Sequence, residues 1–108
     1  MATKIVLAQT TVDSEEAARR LATGAVKGRL AACVHLDAPL TAVYRWEGSI
    51  ETGIEWRVAF KTTEGRLPAL TEWVMQEHPY EVPAWIVLPI VAVSDAYLAW
   101  VVQETAAE

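Results

Sequence analysis

The sequence predicts an α+β fold in which two β–α–β halves share one antiparallel sheet. Apolar segments of strand length alternate with segments of helical period, in the order βαββαβα. Residues 54–61 alternate apolar and polar side chains, which is typical of an antiparallel strand with one covered face. Residues 78–90 contain three prolines, which hold a stiff, extended segment ahead of the last strand.

Composition bounds the organisation of the chain and the classes of partner. The chain has 108 residues, of which 53% are hydrophobic, enough for one domain over residues 1–108 with a real core. A net charge of −5 and the lack of any Lys/Arg cluster argue against nucleic acid as a partner. The single Cys33 cannot form an internal disulfide, and neither a leader pattern nor an apolar run of about 18 residues is present. We therefore expect a cytoplasmic protein with no membrane partner.

The chain begins with a strand and an amphipathic helix. Lys4–Thr11 is an apolar run without Gly or Pro, typical of a central strand. Asp13 offers an N-cap oxygen, and Glu16 stands at the capping-box spacing. A helix is therefore predicted over Ser14–Lys27, ending at Gly28.

Strand character then resumes in a predicted hairpin. Leu30–Leu36 and Leu40–Trp46 are interpreted as one long strand that is kinked or bulged at Pro39. Gly48 and Ser49 supply the turn into the alternating strand. Its apolar face consists of Ile54, Trp56, Val58 and Phe60.

A second helix is predicted after the hairpin. Thr62 and Thr63 are candidate caps, Pro68 suits the first turn, and Pro79 forbids continuation. Its apolar stripe is Leu67, Leu70, Val74 and His78.

The last strand and helix complete the order. Trp85–Ile90 is apolar without alternation, which suits a strand covered on both faces, and Pro89 requires a bulge or an edge position. Ser94 is expected to cap a final helix. Its apolar stripe is Tyr97, Leu98, Val101 and Val102.

This order predicts a ferredoxin-like split sheet, βαββαβ, with an extra C-terminal helix. The helices lie on one face, and no element remains to cover the other. A second copy of the chain is the simplest cover, with the hairpin as the arm that reaches across. The five Trp residues, of which Trp46 and Trp56 lie in this hairpin, agree with a buried subunit interface.

Six stretches together resemble the CutA divalent-cation-tolerance family, in that family's order and over most of the chain. They are RLAACVH (29–35), YRWEGSIE (44–51), FKT (60–62), HPYEVP (78–83), LPI (88–90) and YLAW (97–100). The resemblance implies a ferredoxin-like homotrimer, similar in architecture to the PII signalling proteins. It also implies a role in tolerance to copper and other divalent metals.

The resemblance further implies where metal ligands are to be sought. Three positions associated with copper in some bacterial members fall on Gln9, Glu77 and His78, and only His78 keeps the family's residue type. A carboxylate and one imidazole suit copper(II) or zinc(II) better than copper(I), so weak binding is expected. His78 and Glu77 are the predicted ligands, and no organic cofactor is expected.

Each candidate also has a structural interpretation. His78 is either a ligand or acid/base group, or it caps the helix end and bonds to backbone. Glu77 and Glu81 either add carboxylate oxygens to a site or are solvated. Cys33 is more often a buried, inert thiol than a reactive one.

A small-ligand site is the alternative function. Trp46, Lys61, His78, Tyr80 and Glu81 are predicted to line a cleft between subunits, as in PII-like trimers. Their structural interpretation is interface packing for the aromatic residues and a solvated Lys61. No catalytic or phosphate-binding motif occurs, so enzymatic activity is not indicated. A trimeric enzyme would require a strongly shifted pKa at His78 or Glu81.

Overall fold

A computed structural model describes residues 4–107 and has a mixed α+β architecture, as predicted, with an antiparallel sheet and three helices. The elements follow one another as strand, helix, three strands, helix, strand and helix. They are β1 (Ile5–Val12), α1 (Glu15–Lys27), β2 (Cys33–Leu36), β3 (Leu40–Trp46), β4 (Ser49–Thr63), α2 (Leu67–Glu77), β5 (Ile86–Pro89) and α3 (Asp95–Glu104).

The sheet has the strand order β2-β4-β1-β5, with β3 paired to the outer part of β4. All pairs are antiparallel, and β1 lies in the middle, as predicted. Val6, for example, stands opposite Thr62 on one side and Pro89 on the other. This order is that of a ferredoxin-like split sheet.

The predicted bent strand is present as β2 and β3, which both pair with β4. Leu36 stands opposite Val58, and Leu40 stands opposite Glu55. Four steps along one strand therefore match three along the other, which is the mark of a one-residue bulge. Asp37 closes the bulge, because its N–H donates to the carbonyl of Arg57 at 3.0 Å and its carboxylate pairs with that guanidinium at 2.9 Å.

The helix starts differ from the sequence predictions by one or a few residues. Ser14, and not Asp13, caps α1, because its Oγ accepts the N–H of Ala17 at 3.1 Å. Thr62 and Thr63 are the last residues of β4 and do not cap α2. The alternation of β4 continues through both residues. Their hydroxyl groups form hydrogen bonds with neighbouring loops. Thr62 Oγ1 donates to the carbonyl of Leu30 at 2.7 Å, and Thr63 Oγ1 accepts from Arg66 N–H at 3.2 Å.

The core lies between the sheet and the first two helices. Helix α1 contributes mainly Ala side chains and Leu21, so its axis can approach the sheet closely. The predicted stripe of α2 is buried at Leu70 and Val74, which contact the same cluster. From the sheet the core receives Ala8, Val12, Val58 and Phe60.

Helix α3 packs on the opposite face of the sheet, where Val101 contacts Ile5, so the expectation that all helices lie on one face is wrong. The rest of that face and the far end of the sheet are largely uncovered in one chain. Strand β5 lies at the edge, where a Pro is tolerated, but its residues are exposed, so the expectation of two covered faces is wrong for the single chain. In α3, Val101 is buried but Val102 is exposed and does not join the stripe. The β3–β4 hairpin extends as an arm whose Val43 and Ile50 are 66% and 68% exposed. Among residues 4–107, no helix has the length and apolar character needed to cross a bilayer.

Helix α1 meets α2 at a contact that only glycine allows. A Cβ added to Gly24 would lie 2.6 Å and 2.8 Å from two ring carbons of Trp73. Gly24→Ala should therefore destabilise the protein by about 1–3 kcal/mol through overpacking, although Ala ordinarily favours a helix by about 1 kcal/mol. Urea unfolding at fixed protein concentration measures the change.

The double variant Gly24→Ala/Trp73→Leu is the control. With the ring removed, the added methyl should be neutral or stabilising relative to Trp73→Leu alone. An equal cost of the methyl in both backgrounds would contradict the proposed clash.

Candidate functional site

A groove of about 450 Å³ lies between the base of the hairpin arm and the loop that joins α2 to β5. One wall comes from strands β1, β3 and β4, and the other comes from the proline-rich residues 80–84. Its lining residues are Thr11, Ala42, Tyr44, Trp46, Glu55, Tyr80, Glu81, Val82 and Ala84.

Strand register places the arm side chains of this groove on one sheet face. Leu40 stands opposite Glu55, and pairing continues without interruption to Trp46 opposite Ser49. Successive side chains of a strand point to opposite faces, so Tyr44 and Trp46 share a face with Glu55. The arm therefore presents an aromatic wall beside one carboxylate.

His78 lies behind the groove and joins the end of α2 to β1. Its own N–H completes the helix by donating to the carbonyl of Val74 at 2.8 Å. Its Nδ1 accepts the N–H of Tyr80 at 3.1 Å, so the ring proton sits on Nε2. Nε2 lies 3.1 Å from the carbonyl of Thr11 and 2.9 Å from Oγ1 of Thr10. Both ring nitrogens are thus engaged, and coordination of a metal would require the loss of one of these bonds.

Burial keeps the imidazole of His78 neutral. The side chain is only 8% exposed, and this desolvation lowers its pKa below the ordinary value of 6.5. The bond to the Thr11 carbonyl and the charges of Asp13 and Glu55 act in the opposite direction but do not reverse the shift. The neutral ring is also the form that can accept the N–H of Tyr80, so charge state and geometry agree.

Tyr80 connects the buried imidazole of His78 to the groove. Its ring contacts that of His78 edge-on, with centroids 4.8 Å apart. Its hydroxyl donates to Oε2 of Glu55 at 2.7 Å. Burial first, and then this bond to a carboxylate, raise the pKa of the phenol well above its usual value. Tyr80 is therefore a fixed hydrogen-bond donor that orients Glu55.

The predicted cleft residues separate into three groups. Trp46, Tyr80 and Glu81 line the groove, whereas His78 supports it from behind. Lys61 does not reach it within one chain, because its ammonium lies 5.5 Å from the ring centroid of Tyr97 on α3. Sequence reasoning missed Tyr44 and Glu55. Both were visible as residues of strand-forming segments, but the register that brings them together was not.

The potential metal donors are scattered. Residues 4–107 contain no group of three or more His, Cys, Asp or Glu side chains arranged to hold a metal ion. Glu77 is exposed at the end of α2, and Gln9 is half-buried on β1. Cys33 and His35 bring one thiol and one imidazole together, because they share a face of β2 with Sγ and Nε2 3.8 Å apart. Cys33 is therefore not fully buried, in contrast to its structural interpretation.

Comparison with known proteins identifies one family over nearly the whole chain. The model of the CutA1 divalent ion tolerance protein matches residues 6–104. The divalent-cation tolerance protein CutA of Thermus thermophilus is 43% identical over 95 residues, which is 88% of this chain and 92% of that protein. Mouse protein CutA is also 43% identical over 95 residues, but the chain spans only 54% of its length, and the human and Arabidopsis thaliana relatives are likewise matched over about half their length.

Solved structures of such proteins share the fold. The CutA structure from Synechococcus elongatus superposes with a TM-score of 0.92 at 39% identity, covering 97% of this chain and 93% of that one. The structure of the divalent ion tolerance protein CutA1 from Ehrlichia chaffeensis gives a TM-score of 0.93 at 30% identity, covering 99% and 100%. The sheet order and the bent strand described above are thus those of an established architecture.

The lowered pKa of His78 predicts a specific loss of stability in acid. The unfolded imidazole takes up a proton below about pH 6.5, whereas the buried ring resists protonation until a lower pH. Its contribution is therefore full above about 6.5, falls as the pH drops toward the folded pKa, and levels off below it. Urea unfolding at pH 7.5 and 5 should show a smaller loss for His78→Gln than for the native chain.

His35→Gln, at the exposed second histidine, is the matched control and should keep the native loss. At pH 7.5, His78→Gln should itself cost about 1–3 kcal/mol, because it leaves buried partners unbonded. Equal acid losses for His78→Gln and the native chain would show that His78 does not carry the effect.

Proposed function

This chain belongs to the CutA1 divalent ion tolerance family, and from that membership we propose that it acts in divalent cation tolerance as a cytoplasmic homotrimer that binds divalent metal ions weakly. The Thermus thermophilus relative is named for divalent-cation tolerance, which supports the biological role. The metal, the trimer and the compartment are our inferences. The metal and the trimer each rest on a separate observation of the chain.

The pair Cys33 and His35 carries the proposal of metal binding. A thiolate and an imidazole are the donors that zinc(II) accepts, and these two atoms lie 3.8 Å apart on a partly accessible strand. Zinc usually takes four ligands, so two from one chain predict weak binding, completed by water or by another copy.

His78 and Glu77, the ligands expected from the sequence, are supported less well. The imidazole of His78 is held by Tyr80, Thr11 and Thr10, and a metal would have to replace one of these bonds. Glu77 alone supplies a solvated carboxylate, which binds a divalent ion only weakly. We therefore place the primary ligands on β2.

Self-association is supported by the uncovered apolar surface of the arm. One face of the hairpin exposes Val43, Ile50 and Ile54, and the other exposes Tyr44 and Trp46. An extended hairpin that exposes the aliphatic face of Val43, Ile50 and Ile54 is stable in water only when another surface covers that face, whereas the aromatic face lines the groove. Threefold assembly is the arrangement implied by the resemblance to the family. Trp56, also expected at subunit contacts, instead packs against the core of its own chain.

A PII-like role in small-ligand binding is the second candidate, and the groove favours it. A concave site of about 450 Å³ falls within the range of small-molecule pockets. It also combines apolar walls with a few oriented polar groups, as ligand sites do.

The metal proposal is tested by titrating zinc(II) and copper(II) into the protein by calorimetry at pH 7.5, with a phosphine keeping the thiol reduced during the zinc(II) titration. Cys33→Ser and His35→Asn should each weaken zinc binding about tenfold or more, equivalent to about 1.4 kcal/mol. His78→Asn and Glu77→Gln are the matched controls and should leave it unchanged. Loss of binding in His78→Asn alone would move the site back to α2.

The assembly proposal is tested by sedimentation velocity at micromolar concentration. The native chain should sediment as a trimer, whereas Ile50→Glu should weaken the assembly because it buries a charge in the interface. Val26→Glu changes an exposed Val on α1 and is the matched control. A native protein that sediments as a monomer would refute the assembly.

A further inference from the structure

We propose that the groove between the arm and residues 80–84 binds a small organic cation, a molecule with an alkylammonium group. This inference rests on the small-ligand candidate above and is independent of metal binding. Three aromatic side chains and two carboxylates line the groove, and none of its lining residues is Lys or Arg. The aromatic residues are Tyr44, Trp46 and Tyr80, and the carboxylates are Glu55 and Glu81.

The two carboxylates make the groove negatively charged. In the part of the chain described, neither Glu55 nor Glu81 is in an ion pair. The next cation along β4, Arg57, is held by Asp37 at 2.9 Å. The carboxylate of Glu55 instead accepts a hydrogen bond from a neutral group, the hydroxyl of Tyr80, at 2.7 Å. An anionic ligand would meet uncompensated negative charge here, whereas a cation would supply the missing positive charge.

The aromatic residues select an organic cation over a bare metal ion. A cation is attracted to the face of an aromatic ring, more so when water is excluded, and groups such as alkylammonium also gain apolar contact. A divalent ion needs several oxygen, nitrogen or sulfur ligands, and the described residues provide no cluster of three. A space of about 450 Å³ is also far larger than one dehydrated ion, and it suits a ligand of several heavy atoms.

The wall from the loop is organised before any ligand arrives. The N–H of Tyr80 is fixed by Nδ1 of His78, and the hydroxyl of Tyr80 is fixed by Glu55. The two prolines Pro79 and Pro83 limit the backbone on either side of Tyr80. A site whose groups are already held loses less conformational entropy on binding, so a small ligand can bind measurably.

The test uses three molecules of similar size and different charge. n-Butylammonium, n-butanol and butyrate are titrated into the assembled native protein at constant ionic strength, and binding is followed by ligand-observed NMR and calorimetry. n-Butylammonium should bind saturably, about tenfold or more tightly than n-butanol, and butyrate should not bind. Equal binding of the amine and the alcohol, or no saturable binding of the amine, would overturn the proposal.

Variants locate the binding. Trp46→Leu and Glu55→Gln should each weaken n-butylammonium binding about tenfold or more, whereas Trp100→Leu and Glu72→Gln, at exposed positions outside the groove, should not. Sedimentation of each variant checks that the assembly is retained, and Glu55→Gln decides the question if Trp46→Leu disturbs it. An unchanged affinity in Glu55→Gln would overturn the proposal.

Two further outcomes separate this site from others. Cys33→Ser should weaken zinc binding about tenfold or more and leave n-butylammonium binding intact, so the metal proposal and this one fail independently. Competitive displacement of n-butylammonium by zinc(II) in Cys33→Ser would show that the groove is a metal site, which would overturn the organic cation. A soluble quencher can also be added to the assembled protein without ligand. If Trp46 is protected from it, a second copy fills the groove, and this result would also overturn the proposal.

Discussion

The pairing of β4 with three other strands is the constraint on which the rest of the structure depends. Its 15 residues pair with β1 along one side and with β2 and then β3 along the other. The inner half carries Val58 and Phe60 into the core, while the outer half leaves the core and becomes the arm. Because one strand serves both purposes, the arm is held in direction by the same ladder that stabilises the core. Folding and the presentation of the groove are therefore coupled.

The buried imidazole of His78 connects these layers at one point. It receives the Tyr80 N–H and contacts the C-terminal end of β1, so the helix, the central strand and the groove loop share one polar centre. Buried polar groups contribute favourably when all their hydrogen bonds are made, and this ring makes bonds through both nitrogens. Because both ring nitrogens already form hydrogen bonds, His78 is not available to bind a metal unless one of these bonds is lost. A structural role and a ligand role for one histidine compete for the same lone pair.

Sequence patterns predicted the elements well because each pattern depends on local periodicity. The stripe of α2, the edge position of Pro89 and the kink near Pro39 all follow from rules that act over a few residues. The errors have non-local causes. The sequence predicts a helix cap at Thr63 because no local signal shows that the β4 ladder extends so far. The remoteness of Lys61 from the groove depends on how α3 packs against the sheet. The approach of Cys33 to His35, in contrast, follows from the local rule that residues two apart in a strand share a face.

The bulge at residues 37–39 has a consequence for the inheritance of the site. On β2, the odd-numbered Cys33 and His35 lie on the sheet face of Lys61 and Ala59, but on β3 it is the even-numbered Tyr44 and Trp46 that lie on the face of Glu55. The extra residue of the bulge is the reason that odd-numbered residues of β2 and even-numbered residues of β3 lie on the same face. A chain shorter by one residue here would lose the bulge, but the hairpin turn fixes the register of β3 against β4, so Tyr44 and Trp46 would stay on the face of Glu55. A related sequence could therefore lose the extra residue and still inherit the groove, provided that the turn between β3 and β4 keeps its length.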